Sequence, residues 1–593
     1  MSVAPPSEPS PASLTLPPVR HLALEWWIPD DFGGMTTALL RRSRAFVTLG
    51  GATVDVLTLD PGRDYGVIVE RLRERGGVIP GIRILNLWDD LAARHDLPGS
   101  PAEQAADDDG PVAGDELVPQ LVAGAVRTLT RFASDCRTVL QVDHLRPDGS
   151  LLVRDRRDTA ARGTLGGRRV TLFDHDGHPV MSWKKIWSLY AYWLDLLVGD
   201  EPAIAVIDSK VTARFAATYR RPNVATVHVI HSSHLAGTER PYGPLLHHRE
   251  NTVRRLHDFD AVVVLTDRQR DDLQTLLGPA PNLATIPNSI ALAEAPADSA
   301  PRAATAGIML ASLEEMKRIE HAIRAVAAAS RQTPGLSLRI FGHGPRRALL
   351  QAEIDACGAA GSIELSGYDP HARDRFAEAS FTLLTSEFEG FGLVLVEAMA
   401  AGCIPIAYDV PYGPADIIEH GVNGFLVPAG DEAALADAIA RFVETDAETV
   451  AAMRARAIET ARRYSDARVT GLWAALETHV LEGKMVRPVA FGLAGVQRTV
   501  VPRRGGLRVT MTFEVQRSTV APSAVSIAVG RAQPPMEVRQ PASFHRRLLK
   551  RDFEARVDFT PEQVGWMGDP ATLDVALTVT IGGTTKRAEI SAP

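Results

Sequence analysis

The sequence predicts an α/β protein of two halves in which strands alternate with helices. An antiparallel β-insert interrupts the first half, and an all-β domain closes the chain. Three observations carry this expectation. Apolar, strand-like runs lead into glycine turns and then helix-period stretches, as in HLALEWW (21–27) before Gly33-Gly34 and FTLLT (381–385) before EGFG. Asp-Gly pairs at Asp148-Gly149 and Asp176-Gly177 sit between alternating apolar runs, the strongest short hairpin signal. Beyond residue 484, Leu507, Val509, Met511, Phe513 and Val515 alternate strictly, and LDVALTVTI (573–581) repeats the pattern, which reads as an antiparallel sandwich.

Size and composition bound the function. At 593 residues the chain holds several domains, and 45% hydrophobic with 23% charged residues is ordinary for a soluble globular protein. Cys136, Cys357 and Cys403 are odd in number and far apart, which argues against a disulfide framework or a zinc cluster and fits a reducing cytoplasm. No apolar run is long enough to span a bilayer, and the N-terminus lacks a secretory pattern. The expected location is cytoplasmic, with peripheral attachment at the inner membrane face as an extension. The net charge of −8 is uneven: from Met485 onward 15 Lys/Arg face 9 Asp/Glu, leaving −14 for the remainder. A basic tail domain on an acidic body points to an anionic partner.

The elements follow in order. Residues 1–18 are rich in Pro, Ser and Ala and read as a disordered tail. Residues 19–98 open the first half, where Gly33 and Gly34 mark a close backbone approach. Residues 99–198 are a linker and β-insert; Asp107–Asp109 lie in its solvated Pro/Ala/Asp-rich start, without the apolar neighbours a buried metal site needs. The aromatic helix IWSLYAYWLDLL ends the insert. The first half resumes over 199–298 with AIAVIDS (203–209) and VATVHVIHSSHL (224–235). His228, His231 and His234 share that run without a Cys or carboxylate, so no metal set is formed. His231 falls at the strand's C-terminal end, where α/β sheets place ligands. Residues 299–484 form the second half, and residues 485–593 the β-sandwich, which carries the basic run His545–Arg551.

The chemistry concentrates at SEFEGFGLVLVEAMA (386–400). Glu389 lies in a turn, Gly390 and Gly392 let the backbone approach a ligand, and Leu393–Ala401 reads as a buried helix. A strand–glycine turn–helix unit directs free N–H groups and the positive end of a helix dipole at one place, a ready phosphate site. Glu397, about one and a half turns along, reaches back to hydroxyls beside that phosphate. Phosphate donors flanked by carboxylates suit a sugar nucleotide.

This stretch resembles the E-x7-E signature of the retaining GT-B glycosyltransferases, two Rossmann-like domains facing a cleft. The β-insert resembles that of bacterial poly(glycerol-phosphate) α-glucosyltransferases, which glycosylate wall teichoic acid, and of the glycosyltransferases of serine-rich adhesins. The resemblance implies transfer of a hexose or N-acetylhexosamine from a UDP-sugar to a polyol-phosphate polymer or a serine-rich protein, with no cofactor or metal. It implies that Glu389 and His231 face the donor sugar and that the turn amides of Gly390, Phe391 and Gly392 hold sugar and phosphate. Glu397 would bind ribose, and Gly33-Gly34 would lie beneath the phosphates. Gly342 and Gly344 in LRIFGHGP and Tyr368 in IELSGYD complete the donor-binding set, Tyr368 near the base. Lys317 matches one of two cations that neutralise the diphosphate. Ser312 stands where the family pattern has Arg, and Arg318 is the nearby candidate to compensate. A non-catalytic scaffold that binds glycan or partner subunits is the alternative, and the exposed hairpin edges predict a homo-oligomer formed through the insert.

Overall fold

The computed structural model describes residues 14–30, 33–99, 116–278, 280–292, 302–485 and, with short gaps, 492–591. The chain divides into two compact units, one of residues 17–226 and one built mainly from residues 227–593. Strand Val224–Ile230 runs across that division.

In the first unit, strands Ala203–Ile207, Arg20–Glu25, Val54–Thr58 and Ile82–Asn86 lie side by side in that order, all parallel. All five residues of Val54–Thr58 and of Ala203–Ile207 are buried, which is why these strands read as continuous apolar runs. Residues 14–18, read as tail, are folded at least in part, since Leu16 is buried.

The insert is a six-stranded antiparallel meander from Leu117–Val122 to Pro179–Trp183. Both Asp-Gly turns are present, with Gly149 and Gly177 at φ 85° and 82°. A third hairpin, Leu117–Val122 with Ala125–Phe132, turns at Ala123-Gly124, both at positive φ. No Asn-Gly or Asp-Gly pair announces it. Its neighbours also bury charge: Asp158 is fully buried between Arg131 and Arg156, each at 2.9 Å. Paired burial of this kind blurs the apolar/polar alternation on which strand reading depends. The aromatic helix Ile186–Val198 follows, with Trp193 buried and its indole N–H donating to Asp90 at 2.8 Å.

In the second unit, six parallel strands run in the order Ile363–Gly367, Ser337–Phe341, Ala306–Leu310, Phe381–Leu384, Ile404–Asp409, Phe425–Pro428. Ala306–Leu310 and Phe381–Leu384 are the central pair, registered Gly307 to Phe381. The loops leaving their C-terminal ends start side by side, the place where parallel sheets gather ligand groups. The chain closes with two four-stranded antiparallel sheets packed on one core, into which Leu507, Val509, Met511, Phe513 and Val515 all point. The alternation read from the sequence is this inward face. Among its basic residues, His545 and Arg546 end a strand, and 547–551 lie outside the described residues.

Candidate active site

Lys317 and Glu389 meet because the two central loops are stitched together. After Ala306–Leu310 the chain makes a single 3-10 turn, Glu315–Lys317. Thr385 Oγ1 donates to the Lys317 carbonyl at 2.9 Å, and the Glu387 amide donates to the Met316 carbonyl at 2.8 Å. These bonds bring Lys317 Nζ to 2.6 Å from Glu389 Oε1, which also accepts from Ser386 Oγ at 2.7 Å. Side chains 22% and 15% exposed leave the pair open to a ligand yet sheltered enough for charge-assisted bonds to count.

The glycine turn has no room to spare. A Cβ on Gly390 would stand 2.0 Å from the His231 carbonyl oxygen and 2.8 Å from Ser232 Cα. Gly392, at φ 81°, caps helix Leu393–Ala400 in the left-handed conformation that favours glycine. The first-turn amides of that helix have no intrahelical acceptor and carry the positive end of its dipole. Glu397, its side chain 13% exposed, accepts from Arg373 Nε at 2.7 Å. Phe391 turns inward against Tyr464, so its backbone, not its ring, faces the turn. Gly342 and Gly344 serve packing: a Cβ would meet the carbonyls of Ala311 and Leu313 at 1.8 and 2.6 Å, so both glycines hold the loop that carries Ser312.

His231 follows the end of Val224–Ile230 and, through the Gly390 contact, lies beside Glu389. The other two histidines are core residues. His228 is fully buried against Phe259, and His234 stacks on Tyr412 at 5.5 Å. Burial, with Arg240 and Arg249 nearby, pushes the His234 pKa down to about 3. Tyr412 in turn donates to Asp272 at 2.7 Å, which Arg240 clasps with two bonds of 2.6 and 2.9 Å. The Tyr412 amide donates to the Glu389 carbonyl, and the Glu389 amide to the Pro411 carbonyl, so this network braces the turn from behind.

The structure thus gathers His231, Lys317, Glu389, Gly390 and Gly392, and places Glu397 on the same helix. Ser312 is exposed. Arg318 pairs with Glu387 at 3.0 Å, so its charge is already engaged. Tyr368 is 54% exposed and meets His343 edge-on. Gly33 and Gly34 belong to the other unit, at the start of helix Gly34–Thr48, and an added Cβ at either would meet nothing within 4 Å. Asp107–Asp109 lie outside the described residues. Among the described residues, Asp174, Asp176 and His178 form a group of metal-ligand types, but Asp174 accepts two amides of its own hairpin turn there. Ser386 and Arg373 are not legible as site residues from the sequence. Only Ser386 had a signal, its place three residues before Glu389.

A model of the glycosyl transferases group 1 family matches residues 305–464. Over 203 residues the chain is 43% identical to an exopolysaccharide phosphotransferase of Streptomyces coelicolor, covering 33% of this chain and 21% of that protein. It is 22% identical over 530 residues to the poly(glycerol-phosphate) alpha-glucosyltransferase of Bacillus subtilis, covering 80% and 77% of the two chains. The chain therefore spans about a fifth of the first relative and most of the second. Among solved structures, a point mutant of Staphylococcus aureus TarM in complex with fondaparinux, alpha-GlcNAc-glycerol and UDP superposes with TM-score 0.59 at 18% identity, covering 77% of this chain and 99% of that one. The pneumococcal O-GlcNAc transferase GtfA in complex with UDP and GlcNAc gives 0.56 at 19% identity, covering 78% and 99%. Both likenesses show the GT-B fold.

Proposed function

Because residues 305–464 form a glycosyl transferases group 1 domain on a GT-B fold, we propose that the chain is a retaining glycosyltransferase using a UDP-sugar. The observation that carries this reading is the Lys317–Glu389 pair, held at 2.6 Å at the mouth of the helix that bears Glu397. A bound diphosphate takes over Lys317, which frees Glu389 to orient the sugar. Glu397, held by Arg373, accepts the ribose hydroxyls.

In the reaction the bond from the anomeric carbon to the diphosphate oxygen breaks, its electron pair leaving with UDP, and positive charge builds on the sugar ring. Lys317 and the amides of Gly390–Gly392 stabilise the leaving diphosphate by preorganised electrostatics. The acceptor hydroxyl attacks from the same face and gives its proton to the departing phosphate oxygen. His231 bonds sugar or acceptor hydroxyls. Since the fixed cation and helix terminus supply the positive charge, turnover is expected to continue in chelator; loss in chelator with rescue by magnesium or manganese counts against this.

The acceptor is a cell-surface polymer such as a polyol-phosphate teichoic acid, a reading supported by the Bacillus relative and the basic C-terminal domain. A serine-rich protein acceptor is the variant supported by GtfA. The chain works in the cytoplasm; no described helix is long and apolar enough to cross a membrane. It self-associates through the insert, whose edge hairpin exposes Val118, Leu121 and Val126. A second reading, a non-catalytic scaffold, is favoured by the neutral Ser312. Incubating the protein with a panel of nucleotide sugars separates the two: a catalyst releases UDP slowly from one donor, and a scaffold releases none.

A further inference from the structure

Beside His231 lies a positive charge that the reaction scheme above does not use. Arg249, in the short helix His247–Val253, is 6% exposed and pairs with no carboxylate among the described residues. Its Nη2 donates to Ser232 Oγ at 2.7 Å, while Nε and Nη1 are shielded from solvent and have no hydrogen-bond partner among the described residues. Burial alone pushes its pKa down to about 10, so the side chain stays cationic at neutral pH. Two neighbours are also unsatisfied. Among the described residues, His234 has no partner at either ring nitrogen, and Gln269, whose Nε2 holds the Ser232 carbonyl at 2.9 Å, has an unpaired Oε1.

A guanidinium withdrawn from water without a counter-ion is costly, and a fold normally pairs it. Arg240 shows the usual solution, held by Asp272. Among the described residues Arg249 has no such partner, and the residue it bonds, Ser232, adjoins the glycine turn. Ser232 Cα lies against the Gly390 turn, so the guanidinium stands next to the segment that touches the site. We infer that Arg249 is the recognition residue for a phosphate oxyanion at the His231 end of the site. A small shift that exposes its unpaired N–H groups lets the guanidinium meet that oxyanion. The guanidinium fork matches phosphate geometry in a way that a lysine does not. The phosphate comes either from the donor diphosphate or from a phosphodiester of the acceptor; only this choice of source rests on the proposed function.

The test is calorimetric titration of the wild type and Arg249→Met with UDP, uridine, inorganic phosphate and glycerol 1-phosphate. A donor phosphate predicts that Arg249→Met weakens UDP about tenfold or more and leaves uridine unchanged. An acceptor phosphate predicts unchanged UDP and the same loss for glycerol 1-phosphate and inorganic phosphate. In phosphate-free buffer the Met variant should melt no lower than the wild type, because an unpaired buried charge is gone. If the Met variant fails to fold, Arg249→Lys is read instead: losing the fork should weaken the phosphate probe several-fold and leave uridine unchanged. Wild type that binds phosphate but neither UDP nor uridine refutes the nucleotide reading and keeps the anion site. Equal affinities of variant and wild type for every phosphate probe, or a wild type that binds none, overturn the inference.

Discussion

Replacing Gly390 with alanine tests whether the His231 strand end and the Glu389 turn act as one site. The added Cβ would lie 2.0 Å from the His231 carbonyl oxygen, 2.5 Å from its carbon and 2.8 Å from Ser232 Cα, where ordinary contacts are 3.4–4 Å. All three atoms are backbone, so no side chain can swing aside, and the two segments must part by roughly 1 Å or more. Overpacking of this kind costs about 1–3 kcal/mol of stability, which a chain of this size survives. Glu389, one residue away, moves with the turn, and a displacement of about 1 Å in a reacting constellation costs on the order of 10²-fold in rate. Gly361→Ala is the control, since its Cβ would meet nothing within 4 Å. The assay is UDP release from the competent donor, with thermal melting to show that both variants fold. A folded Gly390→Ala that turns over like the wild type, or no worse than Gly361→Ala, would refute the reasoning.

Three further outcomes follow from particular contacts. Glu397→Ala should weaken UDP binding about tenfold or more, since bonds to a charged acceptor contribute about 1.5–3 kcal/mol, and Arg373→Ala should weaken it less; unchanged affinity in both sinks the ribose assignment. Glu25 is buried beside Asp208, and burial first, then that carboxylate, raise its pKa to about 8. The folded state therefore holds a proton that the unfolded chain releases near pH 4.5, and stability from this group is lost as pH rises from 4.5 to 8. Glu25→Gln should flatten that slope and melt above the wild type at pH 8, while an unchanged melting profile contradicts the sign. Ser312 is exposed, so Ser312→Arg should fold and bind UDP several-fold more tightly with uridine unchanged; a loss of UDP affinity would show that position 312 does not face the diphosphate.

The sequence made the second unit legible because its signals are local. Gly392 sits between an apolar strand and an apolar helix, and the structure gives it the left-handed φ of 81° that such a junction requires. Asp148-Gly149 and Asp176-Gly177 likewise act through their own turns. What escaped reading was set by distance along the chain. Arg373 meets Glu397 from a 3-10 turn 24 residues earlier, and Arg249 reaches Ser232 across 17 residues. Neither has a periodic pattern around it. Arg318 adjoins Lys317 in sequence, and its pairing with Glu387 across 69 positions is again a contact that no local pattern announces. The Ala123-Gly124 hairpin was hidden because its turn residues are not those that usually signal one.

The proposed role of the Lys317–Glu389 site is to hold a nucleotide sugar and transfer its sugar with retention. The direct measurement is NMR of the product formed from an α-linked UDP-sugar and a glycerol-phosphate oligomer, run in parallel with Lys317→Ala and Glu389→Ala. An α-linked product from the wild type and strongly reduced product from both variants are expected. A β-linked product, or wild-type yields from either variant, would contradict that role.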